Sequence, residues 1–164
     1  MNLRRDITVA FTGHRSYAGE ADEELHRVVE HLYDQGFRRF LCGMAWGWDL
    51  TAGRVVMQLK KVHPDVELVA VVPYRGFGNL FHGTDEELYK SVAGAADSIE
   101  IVCENGSDMS YMLRNNFLVD NASVVVAWWN GKPRSGTAYT VGRARKSRVE
   151  VVNLYPQSQL EFGF

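Results

Sequence analysis

The stretch Gly43-Met44-Ala45-Trp46-Gly47-Trp48-Asp49-Leu50 joins a short apolar run, Phe40–Cys42, to a segment whose apolar residues recur at helical spacing from about Asp49 to Val62. His63-Pro64 closes that segment, because the residue before a proline is driven out of the helical region. Strand, glycine-bearing turn and helix in immediate succession make a βα unit, and a chain of such units builds a parallel sheet. Gly43 and Gly47 permit positive φ or close backbone approach, and Asp49 at the helix mouth can cap free N–H groups. The two tryptophans admit two roles: packing against the following helix, or walling a crevice at the end of the strand.

The same unit recurs on both sides. Ile7–Phe11 is a β-rich run, followed by Leu25, Val28, Val29, Leu32 and Tyr33 at helical spacing and by Gly36 at the stop. Val66–Val72 is a third strand, apolar enough to be covered on both faces. Thr84-Asp85-Glu86-Glu87 has the form of a capping box that opens a helix to about Ala96. Strand Ile99–Cys103, helix Tyr111–Asn121, strand Val124–Trp128, helix Thr137–Lys146 and strand Val149–Leu154 complete the alternation. Right-handed crossovers then predict an α/β fold: a three-layer sandwich with a mostly parallel sheet and helices on both faces. The 164 residues fit a single domain with a core of about residues 6–154, and the last ten residues read as a loosely held tail.

A formal net charge of −2 carries no electrostatic footprint for a polyanion, so nucleic acid is an improbable partner on this reading. Cys42 and Cys103 sit in apolar segments and read as buried, reduced thiols. No apolar run is long enough for a signal peptide or a membrane span, which predicts a cytoplasmic protein with no membrane partner. The five histidines lack metal-ligand spacing, so no metal is expected.

In such folds ligands bind beyond the carboxyl ends of the strands, where the strand order reverses. After the first strand comes Thr12-Gly13-His14-Arg15, with a glycine for close approach and two donors suited to an anion. After the fifth comes Asn130-Gly131-Lys132-Pro133-Arg134-Ser135-Gly136-Thr137, a glycine-bearing, basic entry into a helix whose N–H groups favour phosphate. It lacks the Walker ending. Pro73-Tyr74-Arg75-Gly76-Phe77-Gly78 is a long loop able to cover a pocket, and Arg114 and Asn115 lie in a helix between the fourth and fifth strands. A nucleotide or nucleotide-derived ligand, ADP-ribose among them, is the economical occupant of such a rim. Its base would stack on Trp46, Trp48 or Tyr74. Predicted ligand contacts are Gly13, His14, Arg15, Gly43, Trp46, Gly47, Asp49, Pro73, Tyr74, Arg114, Asn115, Arg134, Ser135, Gly136 and Thr137. His14, Asp49 and Asp120 are the candidates for acid–base work if there is turnover.

The ordered set TGHR, Gly43-x-x-x-Gly47-x-Asp49-x-x-Ala52, Pro73, Arg114-Asn115 and Ser135-Gly136-Thr137 resembles the YpsA-like branch of the SLOG superfamily over roughly residues 6 to 154. That superfamily also holds the DNA-processing protein DprA and the LOG, or lysine decarboxylase-like, phosphoribohydrolases. The resemblance implies a Rossmann-like fold with a nucleotide-binding rim in a sensor or regulator; relatives often pair, so a homodimer is an open expectation. LOG enzymes cleave nucleotides at the N-glycosidic bond with a Glu of a P-G-G-x-G-T-x-x-E pattern, and Thr140 stands at that position here. DprA-like binding of single-stranded DNA is the other alternative.

Overall fold

The computed structural model describes residues 4–156. Its elements alternate as read: β1 (Thr8–Gly13), α1 (Asp22–Asp34), β2 (Arg39–Cys42), α2 (Trp48–Val62), β3 (Glu67–Tyr74), α3 (Gly83–Ala95), β4 (Ser98–Cys103), α4 (Asp108–Asp120), β5 (Val124–Trp128), α5 (Gly136–Lys146) and β6 (Glu150–Asn153). All six strands are parallel in the order β4-β3-β2-β1-β5-β6. The chain lays β2, β3 and β4 to one side of β1, then returns through α4 to place β5 on the other side. The order therefore reverses between β1 and β5. This is a Rossmann-like α/β fold.

Strand residues alternate between two cores, as a period of two requires. Val9, Phe11, Phe40, Leu68 and Ala70 pack against Leu25 and Val29 of α1, Val55 and Val56 of α2 and Val92 of α3. Ala10, Leu41, Val69, Val71 and Val125 face the opposite way, onto Leu118 and Val119 of α4 and Ala144 of α5. Three helices thus cover one face of the sheet and two cover the other.

Local features differ from expectation in four places. The Thr84 box is not made: α3 starts at Gly83 behind His82, with no side-chain cap, so Thr84 already lies inside the first turn. The capping box belongs to α4, where Ser107 Oγ accepts from the Ser110 N–H and Ser110 Oγ accepts from the Ser107 N–H at 3.1 Å. It starts that helix at Asp108, ahead of the expected Tyr111. β3 continues through Pro73, which is buried in the strand. The β2 pairing has ended by then, at Cys42 opposite Ala70, so the missing N–H falls where one neighbour is gone. Cys42 is buried, donates to the Asp49 carbonyl at 3.1 Å and has its thiol pushed by burial up to about 12, whereas Cys103 is partly exposed. The expected tail lies outside the described residues from position 157; Tyr155 packs on Trp128 with ring centroids 4.9 Å apart. No described helix is long and apolar enough to cross a membrane.

Candidate functional site

A cavity of about 690 Å³ opens at the reversal point, between the carboxyl ends of β1 and β5. That volume lies in the range of small-molecule sites, about 300–1,000 Å³. Its walls come from the ends of β1 (Gly13, His14, Arg15), the β2–α2 loop (Ala45, Asp49), one side of α4 (Tyr111, Arg114, Asn115) and the entry to α5 (Ser135, Gly136, Thr137).

The β1 end is fastened to the β5 loop. His14 donates its backbone N–H to the Trp128 carbonyl at 3.3 Å, and its Nε2 accepts from the Asn130 N–H at 3.1 Å. Burial lowers its pKa, so the ring is a neutral strut between the β1 and β5 loops and supplies no charge for a phosphate. Arg15 carries the charge. Its guanidinium lies over Trp46, 4.3 Å from the ring centroid, and 5.6 Å from that of Tyr111. Gly47 (φ +79°) lies so close beneath the Arg15 backbone that any Cβ there would overlap the Arg15 carbonyl.

The tryptophans divide. Trp48 is wholly buried, donates its Nε1 to the Val126 carbonyl at 3.3 Å and meets Tyr17 edge-on at 4.8 Å. It has no free face for a base. Gly13 exists to admit it, since a Cβ at Gly13 would fall within the Trp48 ring's contact surface. Trp46 is half-buried beside Phe81 (5.5 Å) and under Arg15, at the border of the site.

Asp49 does not cap α2. Gly47 holds the cap position, and Asp49 is the second helical residue, only 6% exposed. Its Oδ2 accepts a long bond from the Ala45 N–H, 3.4 Å, and its Oδ1 has no hydrogen-bond partner. Burial pushes the carboxyl up to about 6, with the Arg114 guanidinium pulling the other way. Arg114, 5% exposed, stands across Gly43. It donates Nη1 to the Gly43 carbonyl and Nε to Asn115 Oδ1 at 2.9 Å. A Cβ on Gly43 would lie 2.8 Å from Asp49 Oδ2 and 3.0 Å from Arg114 Nη1, so this glycine keeps two opposite buried charges in one wall. Met44, fully buried, takes a left-handed φ of +68°, the kind of backbone strain that collects at functional loops.

At the other end, Ser135 caps α5 by accepting from the Ala138 N–H at 3.0 Å. Gly136 and Thr137 face the cavity, where the first N–H groups of a helix lack intrahelical acceptors and carry about half a positive charge. Arg134 is solvent-exposed behind this loop with φ +69°, and it does not line the cavity. Neither do Gly43, Trp46, Gly47, Pro73 or Tyr74; the last packs on Phe77 at 5.5 Å and Tyr111 at 6.0 Å. Asp120 is exposed and paired with Arg143 at 3.0 Å, outside the cavity. Thr140 is buried with its hydroxyl donated to the Gly136 carbonyl at 2.8 Å. Asp108 and Tyr111 line the cavity without having been anticipated, and so does Asn130, which stood in the basic loop before α5 but not among the predicted contacts. The serine pair that starts α4 at Asp108 was the signal for the first two.

Residues 9–162 match the family model described as the YspA SLOG family. The SPbeta prophage-derived protein YoqJ of Bacillus subtilis is 26% identical over 85% of this chain and 90% of its own. A UPF0398 protein of Staphylococcus epidermidis is 23% identical over 80% of this chain and 77% of its own. Two solved structures share the fold. The DNA processing protein A (DprA) of Helicobacter pylori, described with a single-stranded DNA binding mode, has a TM-score of 0.64 at 17% identity, over 96% of this chain and 73% of that one. The DprA of Streptococcus pneumoniae has a TM-score of 0.63 at 18% identity over 88% of this chain, which spans only 48% of that longer one. The H. pylori structure overturns the argument against nucleic acid, because a protein that contains this fold is described as binding single-stranded DNA. A net charge of −2 sums the whole surface, while a phosphate responds to the local field of one rim. The family model covers nearly the whole of the sequence, and the chain belongs to the YspA SLOG family.

Proposed function

We propose that the cavity at the reversal point binds a nucleotide or nucleotide-derived ligand, with its phosphate at the start of α5 and Arg15, in a sensing or regulatory role. The observation that carries this reading is the convergence of Arg15 and of the α5 N-terminus, through Gly136 and Thr137, on one cavity of nucleotide size. Thr140 supports regulation over LOG-type hydrolysis: its hydroxyl is engaged within α5 and it lies outside the cavity. A second reading, single-stranded DNA, is favoured by the fold shared with the H. pylori protein. A strand would present its phosphates to the same α5 entry.

Thermal unfolding against AMP, ADP, ADP-ribose and an oligodeoxythymidine separates the two. A ligand at about 100 times its Kd stabilises by about 2.7 kcal/mol, or roughly 5–10 °C for a domain of this size. Arg15→Ala should weaken phosphate-bearing ligands about tenfold or more, the worth of one charge-assisted hydrogen bond. Steeply salt-dependent oligonucleotide binding with no shift from mononucleotides supports the strand reading. If no probe moves the midpoint, both readings fail.

Trp46 offers an optical check. A phosphate that recruits Arg15 changes what lies over the Trp46 ring, so ligand should alter tryptophan emission, and Trp46→Phe should remove most of that change. An undiminished response in Trp46→Phe would place the ligand elsewhere.

A further inference from the structure

Asp49 is an unusual group to leave unmatched. Its side chain is more than nine-tenths buried, belongs to the cavity wall and has Oδ1 without any partner among the described residues. A carboxylate taken from water without hydrogen bonds is costly, and a site that retains one has a use for its lone pairs. The neighbours do not discharge the cost. Arg114 gives Nη1 to the Gly43 carbonyl and Nε to Asn115, and Ala45 offers only the long 3.4 Å bond.

From this we infer that Asp49 accepts a hydrogen bond from a sugar hydroxyl of the bound ligand and so selects ribose over deoxyribose. The inference rests on the nucleotide reading of the cavity and names the ligand class within it. Like charge disfavours a phosphate at Asp49 and the free N–H groups at the start of α5 favour one, so the anionic end lies toward α5 and the uncharged donors toward α2. Asp49 lies in the first turn of the helix after β2, and β5 is two strands away across β1. Two strand spacings are about 10 Å, a span that a sugar 5′-phosphate covers from its phosphate contacts to its ring-hydroxyl contacts. Asp49 lines the cavity, and because the terminal torsion of an aspartate is broad, a rotation about Cβ–Cγ is all the proposed contact requires of it. A ribose hydroxyl then supplies the donor the protein lacks. A buried acceptor of this kind discriminates strongly against an analogue without the hydroxyl, because that analogue leaves it unpaired again.

The test is calorimetric titration at pH 7.5 with two matched pairs: ribose 5-phosphate against 2-deoxyribose 5-phosphate, and AMP against 2′-deoxy-AMP, with 3′-deoxy-AMP as a fifth probe. The wild type should bind the ribose member of each pair at least tenfold more tightly, and should bind 3′-deoxy-AMP, which keeps the 2′-hydroxyl, about as well as AMP. The ratio within each pair should fall to within about twofold in both Asp49→Asn and Asp49→Ala. A residue that merely braces the loop would weaken both members of a pair equally and leave the ratio intact, which overturns the inference. Equal wild-type affinity for ribose and deoxyribose probes also overturns it while leaving the nucleotide reading standing. Failure of every probe to bind overturns both. Where a variant does not fold, the wild-type ratios decide.

Discussion

Asp49→Asn should make the protein more stable at pH 7.5 and confer little at pH 4.5. The folded carboxyl sits at about 6, above the ordinary aspartate value of about 3.9. A group whose pKa is raised on folding contributes its full stability below the unfolded value and loses it as pH rises through the folded one. Between about pH 4 and pH 6 the wild type therefore loses stability through this residue. About two pKa units at 1.36 kcal/mol each put the loss near 3 kcal/mol. Asparagine does not ionise and escapes it, although its amide brings new donors into a buried wall, so a net gain of about 1–3 kcal/mol is expected at pH 7.5. Urea unfolding of both proteins at the two pH values measures it. An equal destabilisation at both would show that Asp49 supports the fold through contacts indifferent to its charge.

The second large effect concerns Gly13 and Trp48. Trp48→Ala removes a wholly buried indole and its hydrogen bond to the Val126 carbonyl. Truncations of this kind cost about 3–5 kcal/mol, a large fraction of the ~5–15 kcal/mol that holds a domain folded. Gly13→Ala drives a methyl into the same ring, and overpacking costs about 1–3 kcal/mol. The two changes share one space, so they should not add: in the Trp48→Ala background the Gly13→Ala cost should largely vanish. A double-mutant cycle in chemical unfolding reads this directly. Undiminished cost in that background would mean that Gly13 is needed for something other than the tryptophan.

The alternation of strands and helices was legible because each strand is an apolar run and each helix has its own period, both local signals. The rule that places ligands where the strand order reverses pointed to the place where the cavity lies, and Gly13, His14, Arg15, Asp49, Arg114, Asn115, Ser135, Gly136 and Thr137 line that cavity. What the glycines do was not legible. Gly13 makes room for an indole, Gly43 for two opposed charges and Gly47 for the Arg15 backbone, and in a linear string such a glycine looks the same as one vacated for a ligand. Arg114 is buried by a wall that arrives from β2, far away in sequence, while its neighbours in α4 read like those of any amphipathic helix. The start of α4 was missed because the closing member of its capping box is a serine instead of the usual Glu or Gln.

Because β1 lies between β2 and β5, the cavity brings together residues that are far apart in the chain. The bond from Asn130 to His14 closes a separation of 116 residues. During synthesis β1 through β4 can pair in order as they emerge, leaving one edge of β1 open until β5 arrives to cover it. Loop closure on that scale is slow and comes late. The cavity is therefore complete only once β5 has paired with β1, and a nascent chain halted before β5 would have much of the sheet but not this cavity.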